Sequence, residues 1–426
     1  MYDWANSAFA TTVMAAFFPI FFKQYWSAGA DAVVSTAKLG LANSLAAIAV
    51  ALCAPVLGAI ADRGRARKGF LICFAFTGAA ATASLPLVAQ GDWAQAAALY
   101  TLALIGFAGG NIFYDALLTT VATDKRLDAV SSLGFSLGYL GGGLLFALNV
   151  AMTLKPHLFG LADTAAAVRF SFLSVGIWWV LFSLPLIFLV REPAAPDSER
   201  IGAVIAGGLA QLRRTFREIR HHKTIVTFLA AYWLYIDGVD TIIVMALDYG
   251  LSIGFQTQDL ILALLMTQFI GFPAALAFGR LGGRIGAKRA ILLAIAVYLT
   301  LPLWGFFMKS RTEFFLLAGV IGLVQGGVQA LSRSFFARLI PAGKSAEYFG
   351  FYNMIGKFAA IIGPILIGGA GLWSRSLGLG GDMASRVGIL SISLLFLAGG
   401  GLLLRVDEEQ GRREARILSE MGEGPQ

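Results

Sequence analysis

The sequence predicts an all-α membrane protein whose twelve transmembrane helices form two pseudo-symmetric bundles of six. Three observations carry that expectation. Composition comes first: 58% of the 426 residues are hydrophobic and only 14% are charged, whereas about a quarter of a soluble domain is charged. Second, apolar stretches such as 70–89, 170–190, 260–278 and 388–404 recur along the chain, each long enough or nearly so to cross a hydrocarbon core of about 30 Å. Third, basic residues crowd alternate loops: Arg63, Arg65, Arg67 and Lys68; Lys125 and Arg126; the run from Arg191 to Lys223; Arg280, Arg284, Lys288 and Arg289; Arg333, Arg338 and Lys344; Arg405, Arg412, Arg413 and Arg416. The intervening loops hold few, such as Lys155, Lys309, Arg311 and Arg375.

By the positive-inside rule the crowded loops are cytoplasmic, which puts both termini in the cytosol and requires an even number of spans. The expected location is a bacterial inner membrane. The same distribution accounts for the formal charge of +8 without a nucleic-acid partner, because the basic residues sit in short loops and form no groove-sized surface.

The expected spans are 4–25, 38–61, 70–89, 96–120, 132–153 and 169–190, then 225–248, 259–279, 289–308, 313–336, 347–371 and 386–404. The first begins almost at Met1, with Asp3 and Asn6 at its start and neither a basic n-region nor a small-residue cleavage site. It reads as a retained helix. The domains expected are a bundle over 1–190, a linker over 191–224, a second bundle over 225–404 and a tail over 405–426. The linker opens with Pro193 and Pro196 and continues into the amphipathic run Ile201–Ile219, read as a helix on the inner membrane surface or a solvated connection. Cys53 and Cys73 fall inside apolar spans, where packing is the expected role. The sequence shows no metal-ligand spacing, and Gly343-Lys344-Ser345 lacks the upstream glycine of a phosphate-binding loop, Arg338 standing there. We expect no enzyme activity and no cofactor.

The two halves match at a nearly constant offset. Ile105-Gly106-Phe107 with Gly109-Gly110 corresponds to Ile321-Gly322-Leu323 with Gly326-Gly327, and Gly134-Phe135 to Gly350-Phe351. The second and eighth spans end alike, in Gly58-Ala59-Ile60-Ala61-Asp62-Arg63 and Gly279-Arg280-Leu281-Gly282-Gly283-Arg284. Duplication of this kind is how carriers build a site that opens to either side.

At these residues the chain resembles the major facilitator superfamily. The segment Gly58–Lys68 is similar to that family's signature between the second and third spans: a glycine, an acid with an arginine, then a basic cluster. Two departures stand out. Gly64 comes one residue early, and Gly283 replaces the acid in the second copy. Within the superfamily, Tyr2-Asp3-Trp4-Ala5-Asn6-Ser7-Ala8-Phe9 and Tyr235-Ile236-Asp237-Gly238-Val239-Asp240-Thr241 resemble the vacuolar amino-acid effluxer branch and its bacterial relatives. The resemblance implies a monomeric secondary carrier working by alternating access, with amino acids as substrates and export as a plausible direction.

Charge at mid-membrane is costly and usually faces a watery cavity or a partner. Asp237 and Asp240, three residues apart on one face of the seventh span, and Lys357 in the eleventh are therefore the expected substrate or proton groups, the alternative being a structural ion pair. Asp115 and Asn111 in the fourth span and Arg333 in the tenth are expected to line the site or a gate, although charges this near the interface could snorkel to water. Gln268, Gln325, Gln329, Asn353 and Tyr139 are uncharged candidates for substrate contact, with interhelical hydrogen bonding as the alternative. Asp62 with Arg63, Arg65 and Arg67 is expected to form an inner latch. Asp3, Trp4 and Asn6 are read either as part of that gate or as interfacial anchors. Two rivals to an amino-acid carrier are an exporter of lipid-like compounds and a transport-inactive receptor of the same fold. An intramembrane enzyme ranks last, because His157, His221 and His222 all fall in loops.

Overall fold

The computed structural model describes residues 1–192, 201–219, 222–252, 256–358 and 362–422. Twelve segments of it are helical, long and apolar enough to cross a membrane. The first six are α1 (Tyr2–Trp26), α2 (Val34–Arg63), α3 (Arg67–Leu87), α4 (Trp93–Val121), α5 (Asp124–Leu154) and α6 (Thr164–Leu189). A linker helix α7 (Ile201–Ile219) leads to α8 (Lys223–Ser252), α9 (Thr257–Ile285), α10 (Ala287–Phe307) and α11 (Arg311–Leu339). The eleventh span consists of α12 (Ser345–Phe358) and α13 (Ile362–Ser376); α14 (Met383–Leu404) is the twelfth, and α15 (Glu408–Gly422) forms the tail.

Several helices begin before their apolar runs because polar residues cap them. Asp92 accepts the Gln95 amide at 3.1 Å and Asp163 the Ala166 amide at 2.7 Å, each satisfying a donor that a helix start leaves open. Ser310 and Glu313 form a reciprocal capping box at the start of α11. Helix α1 departs from regular geometry. Over Phe9–Phe17 its amides reach back five residues, and the Phe18 amide does so to the Val13 carbonyl. Pro19 lies between this wide stretch and a second one at Phe22–Trp26, and it contributes no amide to the ladder.

Within the first bundle α3 packs on α4 and α6, and α1 on α5 and α6; within the second, α9 packs on α11, and α8 on α14. The bundles meet along α2 against α12 and α5 against α9 and α11. Those contacts run from mid-depth to the end that carries the basic loops. Glycine makes the first of them possible: a Cβ on Gly58 of α2 would lie 2.3 Å from the Ala346 carbonyl oxygen, and one on Gly350 of α12 would lie 2.7 Å from that of Ala54. Beyond mid-depth the helices turn to their own bundles, α13 packing on α14 and α8. The result is a cleft floored at the basic end.

The structure corrects one packing expectation and sharpens another. Cys53 and Cys73 are both exposed on the outside of their spans, so neither fills the interior. Linker helix α7 is docked on protein: Gly208 abuts Ile60 of α2, and Gln211 Nε2 donates to Glu347 Oε2 of α12 at 2.8 Å. Pro193 and Pro196 lie outside the described residues.

Candidate functional site

Charged and polar side chains form two layers, an inner one between the bundles and a mid-depth one within the second bundle. The inner layer lies about six residues from the basic ends of α4 and α11, or about 9 Å along each helix. Its hub is Arg333 of α11, which is 4% exposed. The guanidinium donates from Nε to Ser131 Oγ and from Nη2 to the Ser131 carbonyl, both at 2.9 Å, and from Nη1 to Asp115 Oδ1 at 3.1 Å. The rings of Phe135 and Tyr114 flank it, with centroids 4.5 and 5.1 Å away. Snorkelling, one expectation for this arginine, does not occur in this structure: the side chain is buried and makes three hydrogen bonds.

Two carboxylates face that cation unequally. Asp115 has both oxygens engaged, Oδ1 by Arg333 and Oδ2 by the Asn353 amide of α12 at 3.1 Å. Asp3 of α1 accepts the Tyr114 hydroxyl at 2.7 Å, while its nearest guanidinium nitrogen stands 3.8 Å off. Asn6, one turn on, donates to Asn111 Oδ1 at 2.7 Å. Asp3 and Asn6 are buried, and Trp4 stacks on Trp178, whose indole donates to the Trp4 carbonyl at 3.0 Å. Asp3 and Asn6 thus lie in the inner layer, and Trp4 packs within the first bundle against Trp178 and Phe182.

The second layer is at mid-depth, about 20 Å from the start of α8. Asp237 is fully buried and caps α13: its carboxylate accepts the amides of Ile362 at 3.0 Å and Gly363 at 2.9 Å, and the Thr241 hydroxyl at 3.1 Å. A helix N-terminus offers amide donors and a positive field, which suits an ionised acid. Gly363 is required there, since a Cβ would fall 1.9 Å from Thr241 Oγ1. Asp240 is half-buried and interacts with Lys357 of α12, itself half-buried. The three mid-depth charges thus divide into a helix cap, Asp237, and an interacting acid–base pair, Asp240 with Lys357.

At the basic end, Asp62 joins the bundles. It accepts the Ala346 and Glu347 amides at 3.0 and 2.8 Å, capping α12, and Arg67 Nε at 2.6 Å. Arg67 also donates to the Gly343 carbonyl at 3.3 Å. Arg63 and Arg65 are exposed beside this joint. Arg65 has φ 47°, taking the left-handed turn that Gly64, one position early, leaves to it. The opposite seam has no acid at Gly283. There Asp128, on α5 itself, accepts Ser334 Oγ at 2.6 Å and pairs with Arg338 at 2.8 Å.

The uncharged candidates divide similarly. Tyr139 is wedged between Gly271 and Gly326, and Gln268 lies against Gly143, so both seal the α5–α9 seam. Gln325 and Gln329 are half-buried on α11. Sequence reasoning passed over Tyr114, Ser131, Phe135, Asp128 and Arg338. The spacing of Asp128 and Ser131, three apart at the start of a span, is the signal that could have found two of them.

The chain matches the family model described as vacuole effluxer Atg22 like over residues 32–127 and 119–416. It is 36% identical over 411 residues to the uncharacterized MFS-type transporter YxiO of Bacillus subtilis, covering 96% of this chain and 94% of that one. Autophagy-related protein 22-1 of Aspergillus niger is 26% identical over 317 residues, 69% of this chain and 50% of the fungal one, so the chain spans about half the length of that relative. Among solved structures, the proton:xylose symporter XylE superposes with a TM-score of 0.67 at 12% identity, covering 96% of this chain and 95% of that one. FucP, solved in its outward conformation, gives 0.65 at 12%, covering 94% and 97%. These last two bear on the fold alone. With the family model matched over most of its length and a relative 36% identical across nearly all of both chains, the chain belongs to the Atg22-like effluxer family and is a multi-pass transporter of the major facilitator superfamily.

Proposed function

We propose that this transporter is a secondary carrier that exports amino acids or similar small zwitterions across a bacterial inner membrane, with the basic end and both termini in the cytosol. The observation that carries the substrate class is the half-buried pair Asp240 and Lys357 at mid-depth. An acid and a base that interact across α8 and α12 suit the ammonium and carboxylate of one solute, and buried polar recognition discriminates strongly against analogues that lack a partner group. The effluxer description of the family supports the same reading.

Movement follows from the two layers. Solute binds at mid-depth while the basic end is sealed by Asp62, Arg333 and Asp128 with their partners. Exchange of that seal for contacts at the other end would carry the site to the cytosolic side, which is alternating access by two rigid bundles. Counterflow in proteoliposomes tests the substrate class: vesicles loaded with one unlabelled amino acid should take up the same labelled amino acid, and Lys357→Gln should weaken uptake of zwitterions. If no amino acid exchanges while a fluorescent lipid probe moves, the substrate class is wrong.

A further inference from the structure

We propose that a groove between α2 and α4 holds one anionic phospholipid as a resident ligand, with its phosphate on Lys38 and one acyl chain laid along the groove. The groove has a volume of about 500 Å³, within the range of small-molecule sites, and lies at the end away from the basic loops. Small side chains, Ala42 of α2 with Ala94 and Ala98 of α4, leave the space, and Leu41, Leu45 and Leu102 flank it. The Thr101 hydroxyl is spent on the Ala97 carbonyl at 2.8 Å. Below Lys38 the lining is therefore apolar.

Helical phase turns this groove toward the bilayer and away from the cleft. Ala54 and Gly58 mark the face of α2 that touches α12. At 3.6 residues per turn, Lys38, Leu41 and Leu45 point roughly 100–180° away from that face. Leu41 and Leu45 are exposed, and the same stripe continues through exposed Ile48 and Leu52. Both walls belong to the first bundle, so rocking carries the groove along intact. A lipid held there is part of the carrier and not its cargo, whatever solute the carrier moves.

The chemistry of the occupant follows from the two ends of the groove. Lys38 Nζ stands 3.8 Å from the centre of the Trp93 ring, and no carboxylate among the described residues pairs with it. Other cations at this end have partners: Arg169 donates to the Pro86 carbonyl, Arg311 pairs with Asp259, and Arg386 donates to the Met308 carbonyl. Topology gives no reason for a lysine on this side. An ammonium held over an interfacial indole is a point charge suited to a phosphate, with its stem lying on apolar surface. From Trp93 to Ile105 the lining runs roughly 18 Å along α4, about the depth of one leaflet of a 30 Å core. That length suits an acyl chain hanging from a headgroup at Lys38.

Two photoactivatable lipids test the site, phosphatidylglycerol and phosphatidylcholine, each with a diazirine on one acyl chain and each at trace level in phosphatidylcholine vesicles holding the full chain. Mapped by peptide mass, adducts of the phosphatidylglycerol probe should concentrate on residues 94–105 and exceed those on the exposed face of α6 at Ile177 and Leu181. Over 94–105 that probe should label about fivefold more than the phosphatidylcholine probe, the factor that the attraction of one lysine for anionic lipid supplies. On α6 the two probes should label alike. Lys38→Gln should erase the headgroup preference, and Lys38→Arg should keep it. Ala98→Phe fills the groove from an exposed position and should strip adducts from α4 while sparing those on α6; should that variant fold poorly, Lys38→Gln with its Lys38→Arg control still decides. Labelling of 94–105 no greater than that of α6, or unchanged in a folded Ala98→Phe protein, overturns the proposal. So does equal labelling by both probes, or a preference that survives Lys38→Gln, either of which makes the groove an ordinary stretch of lipid-facing surface.

Discussion

Asp237 and Asp240 lie three residues apart on one helix face, yet their surroundings give them different work. Two backbone amides and a hydroxyl already occupy Asp237, whereas Asp240 interacts with Lys357. Removing the cap with Asp237→Ala should cost about 1 kcal/mol, read as a lower Tm in detergent, with Asp237→Asn intermediate because one amide oxygen still accepts. Asp240→Asn should act on solute affinity instead, changing KM in counterflow more than Tm. Equal Tm losses in both variants would contradict this division of roles. Arg333 is the residue where least substitution is tolerated. Lys in its place loses the planar fork that serves Ser131 and Asp115 together, so Arg333→Lys should weaken the floor nearly as much as Arg333→Ala, measured as opening of the basic end.

At the scale of helices, closure depends on backbones that touch. Gly58→Ala puts a methyl against the Ala346 carbonyl, and overpacking of this kind costs about 1–3 kcal/mol. The cost falls only on the closed floor, so labelling of Ser345→Cys by a membrane-impermeant maleimide from the basic side should rise roughly 5- to 150-fold. Tail helix α15 gives a weaker hold. Arg412 reaches Asp124 of the first bundle at 2.7 Å, while Ser419 Oγ accepts the Ala342 amide at 2.9 Å and Gly411 sits on Leu339. The tail thus straps both bundles at the seam where Gly283 supplies no acid. Its ion pair is largely exposed, and such pairs are worth about 0–1 kcal/mol and fade with salt. Arg412→Ala should therefore raise the same labelling less than Gly58→Ala does, with the difference from wild type shrinking at high ionic strength.

Across the whole molecule, the twelve spans and their grouping were legible in the sequence because length, hydropathy and loop charge are local properties that a bilayer enforces. Asp62 was legible as a latch because an acid among arginines has no role in topology. The inner cluster was harder. Asp3 begins a helix and resembles an anchor until folding sets it beside Tyr114, 111 residues away, and Arg333 looks able to reach water until α5 covers it. Mid-depth charge drew attention to Asp237, but no sequence rule shows that two amides of another span will take its carboxylate. Depth can be read along one helix, whereas partnership requires the packing of several. The central claim, that the two bundles alternate around a mid-depth site, is tested most directly by spin-label distances at both ends of one protein. One pair, Lys125→Cys with Gly283→Cys, reports the basic end, and a second, Leu158→Cys with Leu379→Cys, reports the opposite end. As the exchanging amino acid is added, the account expects the two distances to change in opposite senses, one end widening as the other narrows; distances that widen together, or do not move in a protein shown to exchange solute, would contradict it.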